Sequence, residues 1–343
     1  IEEIVHYINN LSFNEHDLDY LRSLNLFDED FIGFLRDFKF TGDIYAVEDG
    51  SVMFPGEPII VVKAPLYQAQ LVETAILSIV NFMTLIATKA SRVCNAAGGD
   101  PVLEFGLRRA QGPEAGLYGA KAAIIGGCTG TSNVLTGKMF GVPVAGTHAH
   151  SWVQKFDSEL EAFRAYAQTY PDSCLLLIDT YNVLESGIKN ALIVFDELRA
   201  KGFEPIGVRL DSGDLTYLSK EVRKILDDAG YPNAKITASN DLDEYTIISL
   251  KQEGAAIDSW GVGTKLITSY DYPSLGGVYK LAATTNREGI LEPKIKISEN
   301  PEKINNPGFK KVVRIYNNNE KCEADLIMLD DETIDETKPL EIF

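Results

Sequence analysis

The sequence predicts an α/β protein: a TIM-like α/β barrel with a smaller α/β domain flanking it. Three observations predict this class. From residue 100 onward, short apolar runs alternate with amphipathic stretches at spacings of about 23 to 33 residues, the rhythm of βα units. Polar clusters follow the apolar runs directly. The 343 residues also suffice for one barrel of about 200–250 residues and a further small domain.

Residues 1–98 are predicted to form the flanking domain and a long connecting helix. The pattern is helical up to residue 40 and then alternates with period two between Asp-Gly and Pro-Gly turns, which is typical of short strands. The stretch Leu66–Ala96 has few helix breakers and predicts one long helix. Its apolar run also holds charged and polar residues, which favours a buried helix over a membrane span. The chain begins at Ile1 inside a helix-like pattern, which indicates that further residues precede it.

Residues 99–283 are predicted to form the barrel, and 284–343 to return to the flanking domain. Strands are expected at Val102–Phe105, Val142–Ala145, Leu175–Ile178, Ile206–Leu210, Ile236–Ala238 and Ser259–Val262. Helices are expected at Ser158–Tyr170, Ile188–Lys201, Leu215–Ala229 and Glu244–Glu253. After Lys280 the pattern changes to Asn-, Pro- and Lys-rich turns and short strands.

A polar cluster stands at the carboxyl end of each predicted strand. The clusters are Glu104–Arg109, Thr147–His150, Asp179–Asn182, Arg209–Asp214, Ser239–Asp241 and Gly261–Lys265. In an α/β barrel these ends converge on one face, where active sites are built. The sequence therefore predicts one site assembled from six loops.

His148 and His150 stand two residues apart after an apolar run, so both imidazoles are expected to face one cleft. The other two histidines, His6 and His16, occupy surface positions of predicted helices. A His-x-His pair at a barrel strand also suits a metallohydrolase, which usually takes further histidine ligands from later strands. No histidine follows His150, which makes this the weaker alternative.

The other clusters suggest binding of a flat ring and of phosphate. Phe105 can stack on a ring, and Arg108 offers forked donors to phosphate or carboxylate, although a core phenylalanine beside a surface arginine is the plainer alternative. Arg209 and Asp211 share one face of their strand end, whereas Asp214 is expected to cap the next helix.

Glycine-rich segments at two places can approach phosphate. Gly261 and Gly263 allow close approach of the backbone, and Thr264 adds a hydroxyl. The stretch Ile125–Asn133, IGGCTGTSN, precedes a predicted helix and is either an anion site or an ordinary helix cap. The run Leu326–Lys338 imitates a ribose-binding motif of four apolar residues and two acids, but it lacks the phosphate loop and is interpreted as an acidic turn.

The composition limits the classes of partner and the cellular compartment that are expected for this protein. The formal net charge of −18 argues against a nucleic-acid or anionic-membrane surface. The four cysteines are scattered without a C-x-x-C pair, so free thiols in the cytoplasm are expected. No signal peptide opens the chain, and the protein is predicted to be cytoplasmic.

The segments EFGLRRAQG, GTHAHSW, RLDSGDL and DSWGVGTKL together resemble nicotinate phosphoribosyltransferase, in order and from near the start to beyond residue 320. The resemblance implies an irregular α/β barrel of the type II phosphoribosyltransferase kind, working as a homodimer. It also implies transfer of phosphoribosyl from phosphoribosyl pyrophosphate to nicotinate in NAD salvage, with Mg²⁺ on the substrate phosphates. ATP is implied as a co-substrate, hydrolysed through a phosphohistidine.

The resemblance also implies residue roles. His150 corresponds to the phosphorylated histidine, with Asp179 and Asp211 as the other catalytic residues. Positions that correspond to the nicotinate site are Phe105, Ser132, Thr147 and Arg209. Positions that correspond to the phosphoribosyl pyrophosphate site are Arg108, Ser239, Asn240, Gly261, Gly263 and Thr264. No residue is assigned as a resident metal ligand.

Alternatives from the same fold remain open. Nicotinamide phosphoribosyltransferase has Asp at the position of Ser132, and that carboxylate would repel an acid substrate by roughly 4 kcal/mol at 4 Å and an effective dielectric of 20. Ser132 therefore favours nicotinate. Quinolinate phosphoribosyltransferase calls for a denser basic pocket, and a non-catalytic scaffold would bind neither substrate. The resemblance also implies a Tyr-containing segment at the start of the family's chain, which stacks on the pyridine across the dimer interface; its position would precede Ile1, so no residue of this sequence is assigned to it.

Overall fold

The computed structural model describes residues 1–299, 304–334 and 339–343. Contacts divide the chain into two compact units. One combines Ile1–Asn81 with Gly276–Phe343, and the other is Phe82–Leu275. Both divisions differ from the domain limits expected at residues 98 and 283, and the first falls inside the long helix, which contributes turns to both units.

The chain begins with three short helices, which are α1 (Glu2–Asn10), α2 (Glu15–Ser23) and α3 (Glu29–Arg36). A capping box starts α2, because the Asn14 side chain accepts from the backbone of Asp17 while the Asp17 carboxylate accepts from the backbone of Asn14. Leu18 of α2 is fully buried against Ile32 and Leu35 of α3. His6 and His16 are exposed on α1 and α2, as predicted.

Two antiparallel strands and the long helix follow, namely β1 (Asp43–Ala46), β2 (Ile60–Lys63) and α4 (Leu66–Ala97). The first turns of α4 bury Val72 and Ile76 against α1. By length and composition α4 is one candidate for a membrane span, and 17% of its most apolar window is buried. Further along, Lys89 is buried and forms an ion pair with Glu244 at 2.7 Å.

Phe82–Leu275 forms a curled, six-stranded parallel sheet, which is half of a barrel wall. Its strands are β3 (Val102–Glu104), β4 (Gly130–Thr131), β5 (Leu175–Leu177), β6 (Gly207–Leu210), β7 (Lys235–Asn240) and β8 (Ser259–Val262). The spatial order is β4-β3-β8-β7-β6-β5, so all carboxyl ends lie along one edge. The predicted α/β barrel class is confirmed in this half-barrel form.

Helices cover the sheet and contribute to its core. They are α5 (Pro113–Ile125), α6 (Val134–Phe140), α7 (His150–Gln154), α8 (Glu159–Thr169), α9 (Ile188–Ala200), α10 (Leu215–Asp228), α11 (Glu244–Gln252) and α12 (Thr264–Ile267). Asp214 caps α10 by accepting from the Tyr217 backbone, as predicted. Asn133 caps α6 in the same way, so the glycine-rich segment before it acts as a helix cap. The core centres on fully buried Trp260, Phe163 and Phe195.

The prediction of a barrel strand at Val142–Ala145 is wrong. The segment Val142–Ala145 makes a single bridge, from Val144 to Thr131, and does not extend into a strand. The short strand β4 lies between this segment and β3, in a Gly-Thr stretch that carries no apolar signal of its own. The run of apolar residues is too short, with Pro143 inside it, to form a regular ladder.

The last part of the chain forms small antiparallel sheets in the unit with the N-terminal segment. The strands are β9 (Ala283–Thr285), β10 (Leu291–Pro293), β11 (Lys310–Tyr316), β12 (Cys322–Leu329) and β13 (Leu340–Ile342). A buried ion pair joins Arg314 of β11 to Asp325 of β12 at 2.7 Å. The ribose-motif imitation begins in β12, outside the half-barrel, and its residues 335–338 lie outside the described ranges.

Candidate active site

Arg209, near the end of β6, is the centre of the polar cluster along the carboxyl edge of the sheet. Its guanidinium donates to Ser239 Oγ at 2.8 Å, to Thr147 Oγ1 at 2.7 Å and to Asp211 Oδ1 at 2.9 Å. Three donors of the fork are thus directed by oxygens from strand β7, from the loop before α7 and from the turn after β6. The side chain is 17% exposed, so the charge is accessible to a ligand but largely screened from bulk water.

Phe105 covers this arginine from the end of β3. The Arg209 guanidinium carbon lies 5.6 Å from the Phe105 ring centroid, within the range of a cation–π contact. The ring lies close to the backbone of β8, because a Cβ on Gly261 would come within 2.7 Å of it. The glycine predicted to admit a phosphate therefore also makes room for an aromatic ring beside a cation.

Asp211 is held as an anion at the end of β6. Burial would raise the pKa of its carboxyl group, but the hydrogen bond from Ser239 and the charge of Arg209 outweigh burial and hold the pKa below its usual range. Its Oδ1 accepts from both neighbours. Its Oδ2 lies 3.6 Å from Nε2 of His150.

His150 begins α7 and is 40% exposed at this edge of the sheet. Its Nδ1 lies 3.1 Å from the Thr180 hydroxyl. Its Nε2 faces two carboxylates, Asp211 Oδ2 at 3.6 Å and Asp179 Oδ1 at 4.0 Å. The ring is therefore flanked by a hydroxyl on one nitrogen and by negative charge on the other.

Asp179 follows β5 and is fixed by the neighbouring loop. Its Oδ2 accepts from the Asp211 backbone at 2.9 Å and from the Ser212 hydroxyl at 2.6 Å. Its Oδ1 is buried and accepts no hydrogen bond within the ranges that the structure describes. A carboxylate oxygen directed toward an imidazole and otherwise unsatisfied is suited to hold a cation or a protonated ring.

His148 does not face the cleft, and the prediction that it shares a face with His150 is wrong. The helix α7 begins between them, which ends the two-residue alternation of extended chain. His148 is 6% exposed and packs against Tyr166 and Phe163. Its Nε2 accepts from the backbone N–H of Leu177 in the edge strand β5 at 3.0 Å.

Burial has a chemical consequence for His148. It lowers the pKa of the imidazole to about 4, so the ring is neutral near pH 7. With Nε2 engaged by Leu177, this side chain is not available as a metal ligand toward the cleft. The geometry therefore argues against the metallohydrolase alternative, which needs both histidines of the pair at one metal.

The remaining predicted residues stand at the same edge with fewer contacts to the cluster. Ser132 follows β4, and its backbone N–H donates to the Glu104 carbonyl at 3.0 Å. Arg108 is exposed on a 3₁₀ turn after Phe105. Asn240, at a positive φ of 127°, turns its side-chain oxygen to the backbone of the next residue.

Two further predicted phosphate-site residues follow β8. A Cβ on Gly263 would come within 3.2 Å of the Phe105 carbonyl, so this loop packs closely against the loop after β3. Thr264 begins the short helix α12, and its carbonyl accepts from Thr268. Within the described residues, neither Gly263 nor Thr264 forms a hydrogen bond with Arg209 or with the three side chains that accept from it.

The comparisons with known proteins agree with the motifs. The N-terminal-domain profile of nicotinate phosphoribosyltransferase matches residues 1–81, and the family profile matches residues 101–321. The chain is 52% identical over 344 residues to nicotinate phosphoribosyltransferase of Bacillus subtilis, covering all of this chain and 70% of that protein. The chain belongs to the nicotinate phosphoribosyltransferase family.

A human protein and two solved structures are also similar to this chain. The human nicotinate phosphoribosyltransferase sequence is 35% identical over 345 residues, with 85% of this chain and 63% of that protein covered. A crystal structure of the human enzyme matches 98% of this chain and 74% of its own with a TM-score of 0.83 at 31% identity. Nicotinate-nucleotide pyrophosphorylase from Pyrococcus furiosus matches 88% of this chain and 73% of its own, with a TM-score of 0.71 at 25% identity.

The sequence placed Glu104 in a polar cluster but assigned it no role in this nicotinate phosphoribosyltransferase-family site. Glu104 is fully buried at the end of β3, where its carboxylate accepts from the backbone of Gly106 and from the Thr131 hydroxyl. Burial raises the pKa of this carboxyl group. These two hydrogen bonds to the Glu104 carboxylate fix the loops that carry Phe105 and Ser132. The available signal was an acid at a position where the strand pattern calls for an apolar residue.

Proposed function

We propose that this chain joins nicotinate to phosphoribosyl pyrophosphate, releasing pyrophosphate and nicotinate mononucleotide in NAD salvage, and that ATP hydrolysis at His150 drives the transfer. The observation that carries the proposal is the arrangement of Arg209. A half-buried guanidinium held by three oxygens and overlain by an aromatic ring suits a flat acid.

Nicotinate would lie with its carboxylate on Arg209 and its ring against Phe105. The hydroxyl of Thr147 already donates toward the backbone and accepts from Arg209, so it orients the fork. Ser132, at the end of β4, brings no charge to the pocket. An acid substrate is therefore not opposed there, which supports nicotinate over nicotinamide.

The transfer itself needs a stabilised positive charge on the sugar. The pyridine nitrogen supplies the electron pair for the new bond to the anomeric carbon, and the bond from that carbon to pyrophosphate breaks, its electrons leaving on oxygen. Asp211, whose lowered pKa keeps it ionised at neutral pH, suits the stabilisation of the charge that develops on the ribose. Gly261, Gly263, Thr264, Ser239, Asn240 and Arg108 are the proposed contacts of the donor phosphates and ribose.

Magnesium fits this donor set. Asp211 Oδ2 and the unsatisfied Asp179 Oδ1 are hard oxygen ligands that lie 3.6 and 4.0 Å from the same atom, Nε2 of His150, and Mg²⁺ commonly binds one or two carboxylates together with substrate phosphates. Bound there, the ion would neutralise charge on the departing pyrophosphate. The two carboxylates would hold it while Arg209 and Ser239 keep Asp211 in place.

His150 is the proposed acceptor of the γ-phosphoryl group of ATP. A phosphorylated ring next to Asp179 and Asp211 adds negative charge beside both carboxylates, which changes the affinity of the site for the donor and for products. Hydrolysis of the phosphohistidine thereby makes a nearly balanced transfer proceed toward nicotinate mononucleotide. We further propose a cytoplasmic homodimer, in line with the resemblance.

The deciding assay measures nicotinate mononucleotide formed from nicotinate or nicotinamide with phosphoribosyl pyrophosphate, with and without ATP. We expect product from nicotinate, an increase with ATP, and little product from nicotinamide. His150→Ala should abolish the ATP stimulation, because the phosphoryl acceptor is gone. The exposed His16→Ala variant is the control and should keep it. Undiminished coupling in His150→Ala, or a preference for nicotinamide, would contradict the proposal.

A further inference from the structure

We propose that Cys94 and Cys128 are an oxidation site, at which a peroxide converts the two thiols into a disulfide between α4 and the segment that leads into β4. Cys94 lies near the end of α4, and Cys128 lies two residues before β4. Neither takes part in the proposed transfer. The site itself rests on the geometry of the half-barrel unit alone, whereas its effect on nicotinate rests on the proposed function.

The turn before Cys128 packs directly on α4. A Cβ on Gly126 would clash with the Ala87 carbonyl oxygen, and a Cβ on Gly127 would come within 3.5 Å of Cys94 Sγ. Gly127 also has a φ of 108°, a conformation that favours glycine. The backbone of the turn therefore approaches the helix as closely as glycine permits, and Cys128 is the first side chain after it.

The two thiols form a hydrogen bond with each other. This bond lowers the pKa of the Cys94 thiol, and the same bond together with burial raises the pKa of the Cys128 thiol. Cys94 is half-buried, whereas Cys128 is 4% exposed. Cys94 is thus both the thiol that a small oxidant can reach and the one that more readily becomes the reactive thiolate.

The other two cysteines have different surroundings. Cys174 is fully buried, and burial raises its pKa to about 12, whereas Cys322 is exposed on β12. Within residues 1–299, 304–334 and 339–343, no third histidine, cysteine or carboxylate joins Cys94 and Cys128 in a group that could hold a metal ion. Two adjacent thiols without further ligands suit a disulfide rather than zinc.

Oxidation by hydrogen peroxide proceeds in two balanced steps. The Cys94 thiolate attacks one peroxide oxygen, the O–O bond breaks and hydroxide leaves, so that Cys94 becomes a sulfenic acid. The Cys128 sulfur then attacks the Cys94 sulfur, the S–O bond breaks, and the leaving hydroxide takes the Cys128 proton and departs as water. The two thiols together lose two electrons to the peroxide, and a dithiol such as dithiothreitol returns them.

The consequence for the site follows from the shortness of β4. A disulfide brings two sulfurs to about 2.05 Å, well inside the separation of hydrogen-bonded thiols, so Cys128 has to move toward α4. Strand β4 has only two residues, and one of them, Thr131, donates to the Glu104 carboxylate at 2.6 Å. Displacing the strand disturbs this hydrogen bond and the next residue, Ser132, in the proposed nicotinate pocket.

The test treats reduced Cys322→Ser protein, which lacks the exposed thiol, with a small molar excess of hydrogen peroxide. After alkylation of the remaining thiols and digestion without reductant, mass spectrometry should find the peptides of Cys94 and Cys128 joined, and dithiothreitol should separate them. The KM for nicotinate should rise about 10-fold in the oxidised protein, the equivalent of one lost hydrogen bond, and should return on reduction.

Two variants in the same background serve as controls. Cys94→Ser keeps the size of the side chain but removes the attacking thiol, so it should give no joined peptides and an unchanged KM after peroxide. Cys174→Ala removes a buried thiol outside the pair. It should form the disulfide and change its KM like the background protein.

The outcomes separate the oxidation site from the proposed function. Peroxide treatment that leaves Cys94 and Cys128 unjoined overturns the site. A complete disulfide with an unchanged KM for nicotinate overturns its effect on the pocket. A reduced protein that forms no nicotinate mononucleotide overturns the proposed function, and the mass spectra then decide the oxidation site by themselves.

Discussion

The guanidinium of Arg209 is oriented by three side-chain oxygens, so its fork is set before an acid arrives. We expect Arg209→Ala to weaken nicotinate binding by about 2–5 kcal/mol, the usual loss for one partner of a buried charge pair. Calorimetric titration of nicotinate measures this directly.

Arg164 provides the matched control for that substitution. It forms a comparable ion pair with Glu197 at 2.6 Å, but on the surface of α8, where such pairs contribute little. Arg164→Ala should therefore bind nicotinate like the wild type. Equal nicotinate affinity in Arg209→Ala and the wild type would remove Arg209 from the pocket.

His148 predicts a pH dependence of stability at the level of a single residue. In the folded protein the pKa of its imidazole is lowered to about 4 from an ordinary value of 6.5. Between these values the unfolded chain binds a proton that the folded chain does not, so the free energy of unfolding falls as pH drops from 6.5 to 4. The full loss amounts to about 3 kcal/mol.

Thermal unfolding of the wild type and His148→Gln across this pH range tests the effect. Glutamine retains an acceptor for the Leu177 N–H but does not titrate, so its stability curve should be flatter. His6→Gln, at an exposed position of α1, should keep the wild-type slope. Parallel curves for the wild type and His148→Gln would refute the assignment of the effect to His148.

At the level of elements, strand β8 sets the position of the aromatic ring in the pocket. A Cβ on Gly261 would come within 2.7 Å of the Phe105 ring, which is closer than real contacts allow, and within 3.3 Å of Ser239 Cβ, which is a tight contact. Gly261→Ala should therefore displace Phe105 from Arg209 and raise the KM for nicotinate about 10-fold, the equivalent of a lost stacking contact.

Steady-state kinetics with nicotinate as the varied substrate measures that change. Gly33 on α3 is the control, because an added Cβ there meets no atom within 4 Å. Gly33→Ala should leave the KM unchanged. A wild-type KM in Gly261→Ala would mean that Phe105 does not stack on the substrate.

Elements with a strong period were predictable from the sequence, and weak ones were not. The stretch predicted at Leu215–Ala229 exceeds α10 by one residue, because its apolar spacing is long and unbroken. The short run predicted at Ser259–Val262 coincides with β8. The two-residue strand β4 lacks such a pattern, since its pairing with β3 and the hydrogen bonds of Glu104 define it. Both the pairing and the hydrogen bonds join distant parts of the chain, so the local periodicity of the sequence does not predict them.

The same distinction holds for the site. The meeting of Arg209 and Asp211 with Ser239 follows from parallel strands whose ends share one edge, so the polar clusters were sufficient to predict it. Thr147 and His150 join them although the segment before them makes only a single bridge to β4. The burial of His148 was not predictable, because it depends on where α7 begins, and helix starts are set by local capping and packing.

At the level of the whole molecule, the net charge of −18 contrasts with the proposed substrates, all of which are anions. Long-range attraction therefore does not assist their binding, and recognition has to come from a few local cations such as Arg209. The structure supplies this by half-burying Arg209, which shields the cation from solvent and lets it interact strongly at short range.

Both units contribute to what the family profiles match, since one profile covers 1–81 and the other 101–321. The second profile extends past Leu275 into strands that belong to the first unit. The first unit thus combines the two ends of the chain, and the second unit is the stretch of sequence between them. Length and composition indicated two domains, but which segments share a unit is decided by contacts between distant parts of the chain.

At the edge strand β5, the backbone N–H of Leu177 donates to the His148 imidazole, whereas the next strand of a complete barrel would offer it a backbone carbonyl. A genetic screen for loss of activity would consequently score positions 148 and 150 alike, one for architecture and the other for chemistry. Their phenotypes separate only when the yield of folded protein is measured beside turnover. Two identical residues of one short motif can thus be required for unrelated reasons.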